Sequence, residues 1–205
     1  MKIARIEPSK HKKGRILVFF EDESLLKVTE AELLHFALKA GQEVSPETLT
    51  ALKAAGERSA WKETGAAMTG RRMLSRKEVK DRLIKKGAEE QEAEETAEWL
   101  EDLGAVDDAA YAGVIVRHYA ALGYGPRRIR QEFVKRGIAK ELWEKALTQL
   151  GDPTAAIERF VESKMRTGEK KERKKIADAL LRRGFSWSDI RPVLNQWGEE
   201  IEEEL

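Results

Sequence analysis

One six-residue pattern recurs three times along the chain, and it dictates helices that end in a defined way. It reads Leu83-Ile84-Lys85-Lys86-Gly87-Ala88, then Phe133-Val134-Lys135-Arg136-Gly137-Ile138, then Leu180-Leu181-Arg182-Arg183-Gly184-Phe185. Each copy has two bulky apolar residues, two cations, glycine and one more apolar residue. Cations suit the negative end of a helix dipole, and glycine suits the left-handed turn that closes a helix. The apolar pair is expected on the buried face, and all three glycines are expected at positive φ. The glycines lie 50 and 47 positions apart, near the period of stacked helical repeats, for which about three units is the minimum.

The surroundings of each glycine repeat as well. Ala97, Leu147 and Leu194 stand ten residues after it, and Leu100, Leu150 and Trp197 stand thirteen after it, which is one helical face counted from a common origin. A helix is also expected before each signature helix, over residues 59–69, 107–121 and 152–167, the last opened by an Asp152-Pro153 cap. The signature helices themselves open with the capping box Ser75 to Glu78, with Gly125-Pro126, and with the charge run from Glu169 to Lys175. Upstream of Thr29 the pattern changes to short alternating or apolar runs at 2–6, 15–20 and 25–28, read as a small antiparallel sheet. Thr29 and Glu32 form a capping box ahead of the stripe Leu33, Leu34, Ala37 and Leu38, closed by Gly41, and Ser45-Pro46 starts the next helix. The expected fold is mainly α: three tandem three-helix repeats in an elongated stack, preceded by a small β-containing segment. The expected boundaries are 1–56, 57–104, 105–150 and 151–205, the last with an acidic tail.

Composition narrows the chemistry. No cysteine is present among 205 residues, which removes disulfides, cysteinyl metal sites and thiol catalysis and suits a reducing cytoplasm. His11, His35 and His118 lie far apart without metal-ligand spacing. No glycine-rich phosphate loop precedes a Lys-Ser or Lys-Thr, and the Asp107-Asp108 pair reads as a helix N-cap rather than an acid–base pair. No run of about eighteen apolar residues suggests a membrane span, and no apolar run follows the start to suggest a signal peptide. Neither catalysis nor a cofactor is expected. Trp99, Trp143 and Trp197 sit among periodic apolar residues and read as core, whereas Tyr124, between Gly123 and Gly125, reads as the exposed aromatic.

Charge carries the functional signal. Lys and Arg total 38 against 37 Asp and Glu, yet the signs are segregated. Arg71, Arg72, Arg76, Lys77, Lys80, Arg82, Lys85 and Lys86 crowd the first signature helix. Arg127, Arg128, Arg130, Lys135 and Arg136 crowd the second, and Lys170, Lys171, Arg173, Lys174, Lys175, Arg182 and Arg183 the third. The acids gather in residues 89–108 and in the tail 199–204. In a repeat stack the basic helices are expected to join into one ridge for an anionic, extended partner, either a protein filament on DNA or bare nucleic acid. A solvated outer face is the alternative reading of the same charges.

The stretch from Leu100 through Gly104 and Asp107-Asp108 to Tyr111, followed by Gly123-Tyr124-Gly125-Pro126-Arg127-Arg128-Ile129-Arg130 and Lys135-Arg136-Gly137-Ile138, resembles the core of the RecX regulatory proteins. Arg71-Arg72-Met73-Leu74-Ser75-Arg76-Lys77-Glu78-Val79 is similar to that family's opening helix pair. The resemblance covers roughly residues 61–150 well, and the third repeat by its glycine signature. Phe133 stands where the family more often has Leu, and the strand-bearing start is an addition that shorter members lack. The resemblance implies a non-enzymatic regulator that binds the RecA recombinase filament on single-stranded DNA and suppresses its ATPase, strand-exchange and co-protease activities. A monomer in the cytoplasm is expected, with weak direct DNA binding because the acidic stretches 89–102 and 199–204 would be repelled by DNA. The basic residues that enter as partner-binding candidates are Arg71, Arg72, Lys85, Lys86, Arg127, Arg128, Arg130, Lys135, Arg136, Lys174, Lys175, Arg182 and Arg183. Charge reversal of Arg127 with Arg128, or of Lys135 with Arg136, is expected to abolish inhibition while leaving helical content intact.

Overall fold

The computed structural model describes residues 1–165 and 173–196, and these fall into two compact units. The first comprises Met1–Arg72 with Val79–Ala105, and the second Met73–Glu78 with the residues from Val106 onward.

The first unit begins with strands β1 (Ile3–Pro8), β2 (Arg15–Phe20) and β3 (Leu25–Thr29), antiparallel in the order β1-β2-β3. Ile6 faces Val18, and Ile16 faces Val28. One face of this sheet buries Ile3, Val18, Phe20 and Val28 against Leu38, Val44 and Leu52. The Thr29–Glu32 capping box is present, but helix α1 (Glu30–His35) is only six residues long. The expected continuation to Gly41 fails because Ala37 adopts a left-handed φ of 48° and the chain turns there. Leu34, read as part of the apolar stripe, is 77% exposed, while Leu38 beyond the turn is buried.

Ser45 caps helix α2 (Pro46–Thr69), which runs for 24 residues without a break. The expected start of a repeat at residue 57 falls inside it, since Gly56 within a helix-forming run does not end a helix that has partners on both sides. Buried Arg15 ties β2 to α2 through Glu63 at 3.0 Å and Ser59 at 2.7 Å. Gly65 lets α2 approach α4 (Glu90–Asp102) closely, because a Cβ there would lie 2.8 Å from the Leu100 side chain. Helix α3 (Arg76–Lys85) buries Val79 and Leu83, and α4 buries Ala93, Thr96, Ala97 and Leu100, which completes the first three-helix repeat.

The second repeat consists of α5 (Asp108–Ala121), α6 (Pro126–Arg136) and α7 (Trp143–Leu147), the last flanked by 3₁₀ turns at Lys140–Leu142 and Thr148–Leu150. Its core joins Tyr111, Ile115, Val116, Ile129, Phe133, Ile138 and Leu147. Asp107 caps α5 by accepting from the Ala110 N–H at 2.8 Å, as the paired carboxylates suggest. The third repeat consists of α8 (Thr154–Met165), α9 (Arg173–Arg182) and α10 (Trp187–Gln196) around Ile157, Val161, Ile176, Leu180, Phe185, Ile190 and Leu194. Trp143 packs half-buried on the second core. Trp197, Lys170, Lys171 and the acidic tail lie outside the described residues.

Candidate protein-interaction surface

The three signatures close their helices in the same way. Ala88 N–H donates to the Leu83 carbonyl at 3.1 Å, Ile138 N–H to Phe133 at 2.9 Å and Phe185 N–H to Leu180 at 3.2 Å. The glycine N–H groups donate to Ile84, Val134 and Leu181 at 2.9, 3.1 and 2.9 Å. This is the paired bonding of a Schellman cap, and it needs apolar residues at the first and sixth positions, which clamp across the turn. Both are buried in every copy: Leu83 with Ala88, Phe133 with Ile138, and Leu180 with Phe185. The glycines have φ of 102°, 70° and 90°, as the sequence predicts.

The second position departs from expectation. Ile84, Val134 and Leu181 are 41%, 63% and 38% exposed, so the apolar pair does not share the buried face. Successive helical residues are about 100° apart, and only one member of an adjacent pair can point at the core of a narrow three-helix unit.

Inside the second unit the signatures also serve as joints. The Ser75 hydroxyl, at the start of α3, donates to the Arg136 carbonyl at the end of α6. The Gly125 N–H, at the start of α6, donates to the Arg183 carbonyl at 2.8 Å, and the Arg127 N–H donates to Gly184 at 3.1 Å. A donor-rich helix start thus meets an acceptor-rich helix end twice over. A Cβ at Gly184 would run into the backbone of Arg128, and one at Gly137 into the Lys77 side chain. Around Gly87 nothing lies that close.

These joints separate the candidate cations into two groups. Arg136 donates to the Tyr111 hydroxyl at 2.6 Å and pairs with Glu78 at 3.5 Å. It also faces buried Glu132 at 3.7 Å, beyond hydrogen-bond reach. Burial works against the charge on Arg136, but Tyr111, Tyr119, Glu78 and Glu132 outweigh it and raise its pKa above the ordinary value. Burial, followed by the Glu78 charge, in turn pushes the Tyr111 phenol up. Arg183 donates to the carbonyls of Leu122 and Gly123 at 3.0 and 3.2 Å and lies over the rings of Phe160 and Tyr124. Tyr124 is therefore half-buried, not the exposed platform expected of it. Arg128 binds Glu132 at 3.2 Å, and Arg130 binds Glu144 at 3.1 Å. Charge reversal at Arg128 or Arg136 would therefore perturb the fold, so the expected double substitutions do not isolate binding.

The other group projects into solvent. Lys85, Lys86, Lys135, Arg182, Arg127, Arg71 and Arg72 are exposed and make no ion pair among the described residues. Lys174 and Lys175 are exposed too. In contrast, Lys80 is held by Glu94 at 2.8 Å and Glu90 at 3.2 Å, and its hydrogen bonds to them raise its pKa. Part of the basic crowding on α3 is thus neutralised by the acidic helix α4. The residues that sequence reading missed are Glu132, Glu78 and Tyr111, which hold the joint together. The i,i+4 series Arg128, Glu132, Arg136 was the available signal.

Among the described residues no group of three His, Asp or Glu is placed to hold a metal, and no helix is long and apolar enough to cross a membrane.

Comparison with known proteins gives a consistent picture. Family models of the first, second and third three-helix domains of RecX match residues 70–100, 107–147 and 152–194. Regulatory protein RecX of Streptococcus uberis is 28% identical over 209 residues, covering all of this chain and 80% of that protein. Its counterpart from Xanthomonas axonopodis pv. citri is 37% identical over 127 residues, covering 59% of this chain and 77% of that protein. A crystal structure of regulatory protein RecX shares the fold with a TM-score of 0.79 at 24% identity, over 95% of this chain and 98% of that one. The crystal structure of RecX from Lactobacillus salivarius gives a TM-score of 0.63 at 26% identity, over 69% of this chain and 97% of that one.

Proposed function

Because this chain belongs to the RecX family, we propose that it is a non-enzymatic regulator that binds the RecA recombinase filament on single-stranded DNA and inhibits its ATPase, strand-exchange and co-protease activities. The observation that carries this reading is the set of exposed cations, Lys85, Lys135 and Arg182, at one matching position in three repeats. A like charge repeated at the same position of each repeat suits a partner with a repeating, anionic surface. No described cluster offers a nucleophile, a base and an orienting group together, and the protein acts by occupancy. It binds as a monomer in the cytoplasm, and the partner-facing cations are Lys85, Lys86, Arg127, Lys135 and Arg182, with Arg71, Arg72, Lys174 and Lys175 alongside. Arg128, Arg130, Arg136 and Arg183 support the scaffold that presents them.

Titration into a RecA ATPase assay on single-stranded DNA tests the reading. Loss of ATPase is expected, and it should be relieved by Lys85→Glu, Lys135→Glu and Arg182→Glu together, with the circular dichroism of the parent retained. Full ATPase at severalfold molar excess of the parent would overturn it.

A second reading, binding of bare nucleic acid, draws on a groove of about 720 Å³ in the first unit. His11, Lys12, Arg15, Lys27 and Lys53 line it beside Leu17 and Leu25. Tight, steeply salt-dependent binding to naked single strands would favour that reading.

A further inference from the structure

Five of the six signature positions are explained by the fold. The first and sixth clamp the turn, the fifth is glycine at positive φ, and the third and fourth place cations at the negative helix end. The second position is not explained. Its side chain takes no part in the cap and stays exposed, yet it is Ile84, Val134 and Leu181. A polar residue would serve the helix as well and solubility better. Single exposed aliphatics are ordinary on any protein. Leu103 and Leu122, also exposed, do not recur at matching positions in the other repeats. Three exposed aliphatics at one register, each followed by an exposed cation, form a different pattern.

We infer that Ile84-Lys85, Val134-Lys135 and Leu181-Arg182 are three copies of one contact element, each inserting its aliphatic side chain into an apolar pocket rimmed by carboxylates on a protein partner. The inference rests on the regulator reading and specifies its chemistry. The partner surface is protein rather than nucleic acid because of the residue type. A phosphate backbone offers nothing to Ile, Val or Leu, and an unstacked base calls for an aromatic or guanidinium plane. Aliphatic burial, in contrast, contributes in proportion to the area removed from water. The neighbouring Lys or Arg then finds its complement in an acidic rim, which sets orientation and encounter rate. Repetition in three units matches a partner that repeats its own subunit.

The test replaces Ile84→Gln, Val134→Gln and Leu181→Gln, singly and together. Glutamine does not weaken the helix and replaces the apolar tip with a polar amide. The probe is purified RecA recombinase assembled on single-stranded DNA, with the naked strand as the second ligand. Each single variant should bind the filament about tenfold more weakly, the scale of a modest interface hot spot. Affinity for the naked strand and the thermal melt should match the parent. If the triple variant binds the filament like the parent, this inference falls while the regulator reading stands. Parallel loss of affinity for filament and naked strand would also overturn it, by assigning the elements to nucleic acid. A parent that does not bind the filament removes both.

Discussion

The end of α3 and the end of α9 are written in the same six-residue pattern and close with the same hydrogen bonds, yet Gly87 is exposed and Gly184 is buried. At Gly87 the residue type answers a local demand, a left-handed turn with φ of 102°. At Gly184 it answers that demand and a second one, since the start of α6 rests directly on it. The cation before each glycine follows the same division. Lys86 projects freely among the described residues, whereas Arg183 grips the carbonyls at the end of α5. A motif that repeats in sequence is thus a cap in one place and a joint in another, and only the joint uses arginine for its planar, multi-donor head.

Substituting the two glycines should break this comparison most sharply. Gly87→Ala should cost about 1 kcal/mol, the strain of an L side chain in the left-handed region. Gly184→Ala should cost more than about 3 kcal/mol, because the backbone at Arg128 must also shift. Urea unfolding followed by circular dichroism checks both, and equal costs would show that the close approach contributes nothing.

A smaller contrast is expected at the preceding cation. Arg136→Met should destabilise by about 2 kcal/mol by leaving buried Glu132 and half-buried Glu78 short of their partner. Lys86→Met should stay within about 0.5 kcal/mol, as exposed substitutions do. The same unfolding measurement, with Tyr and Trp fluorescence as a second probe, reads the difference.

Acid should produce the smallest effect and set the charged tie in the first unit apart from the backbone joints in the second. Burial acts to raise the Glu63 pKa, but hydrogen bonds from Lys12 and Arg15 prevail and hold it below the ordinary value of 4.5. Its contribution is present above the unfolded-state pKa and is lost as pH falls through the lower folded-state value. A Glu63→Gln variant should therefore be less stable than the parent at neutral pH and converge with it only as the pH falls through the lowered folded-state value. The Gly125–Arg183 backbone bond carries no titrating group and should show no such convergence.

Much of the fold was legible because it is written in local chemistry. Thr29, Ser45, Ser75, Asp107 and Gly125-Pro126 each mark a helix start where the structure has one. The alternation before Thr29 gives the three strands in order. What failed to read was decided by partners distant in sequence. Gly56 lies inside helix α2 and marks a close approach to β3, not a helix end, with Lys27 O 3.0 Å from where a Cβ would sit. The site was legible as a set of cations, but their division was not. Lys135 and Arg136 are adjacent, and only the second meets residues from α3 and α5.

The sequence by itself determined where the three signature helices end, because a Schellman cap is closed within six consecutive residues and depends on nothing further away. Tertiary structure decided which of those ends is covered and which cation is free. Those outcomes depend on contacts such as Ser75 with Arg136 and Leu122 with Arg183, each spanning 61 residues. Only the folded chain brings such groups into hydrogen-bond range, and their burial there gives one six-residue pattern two different roles.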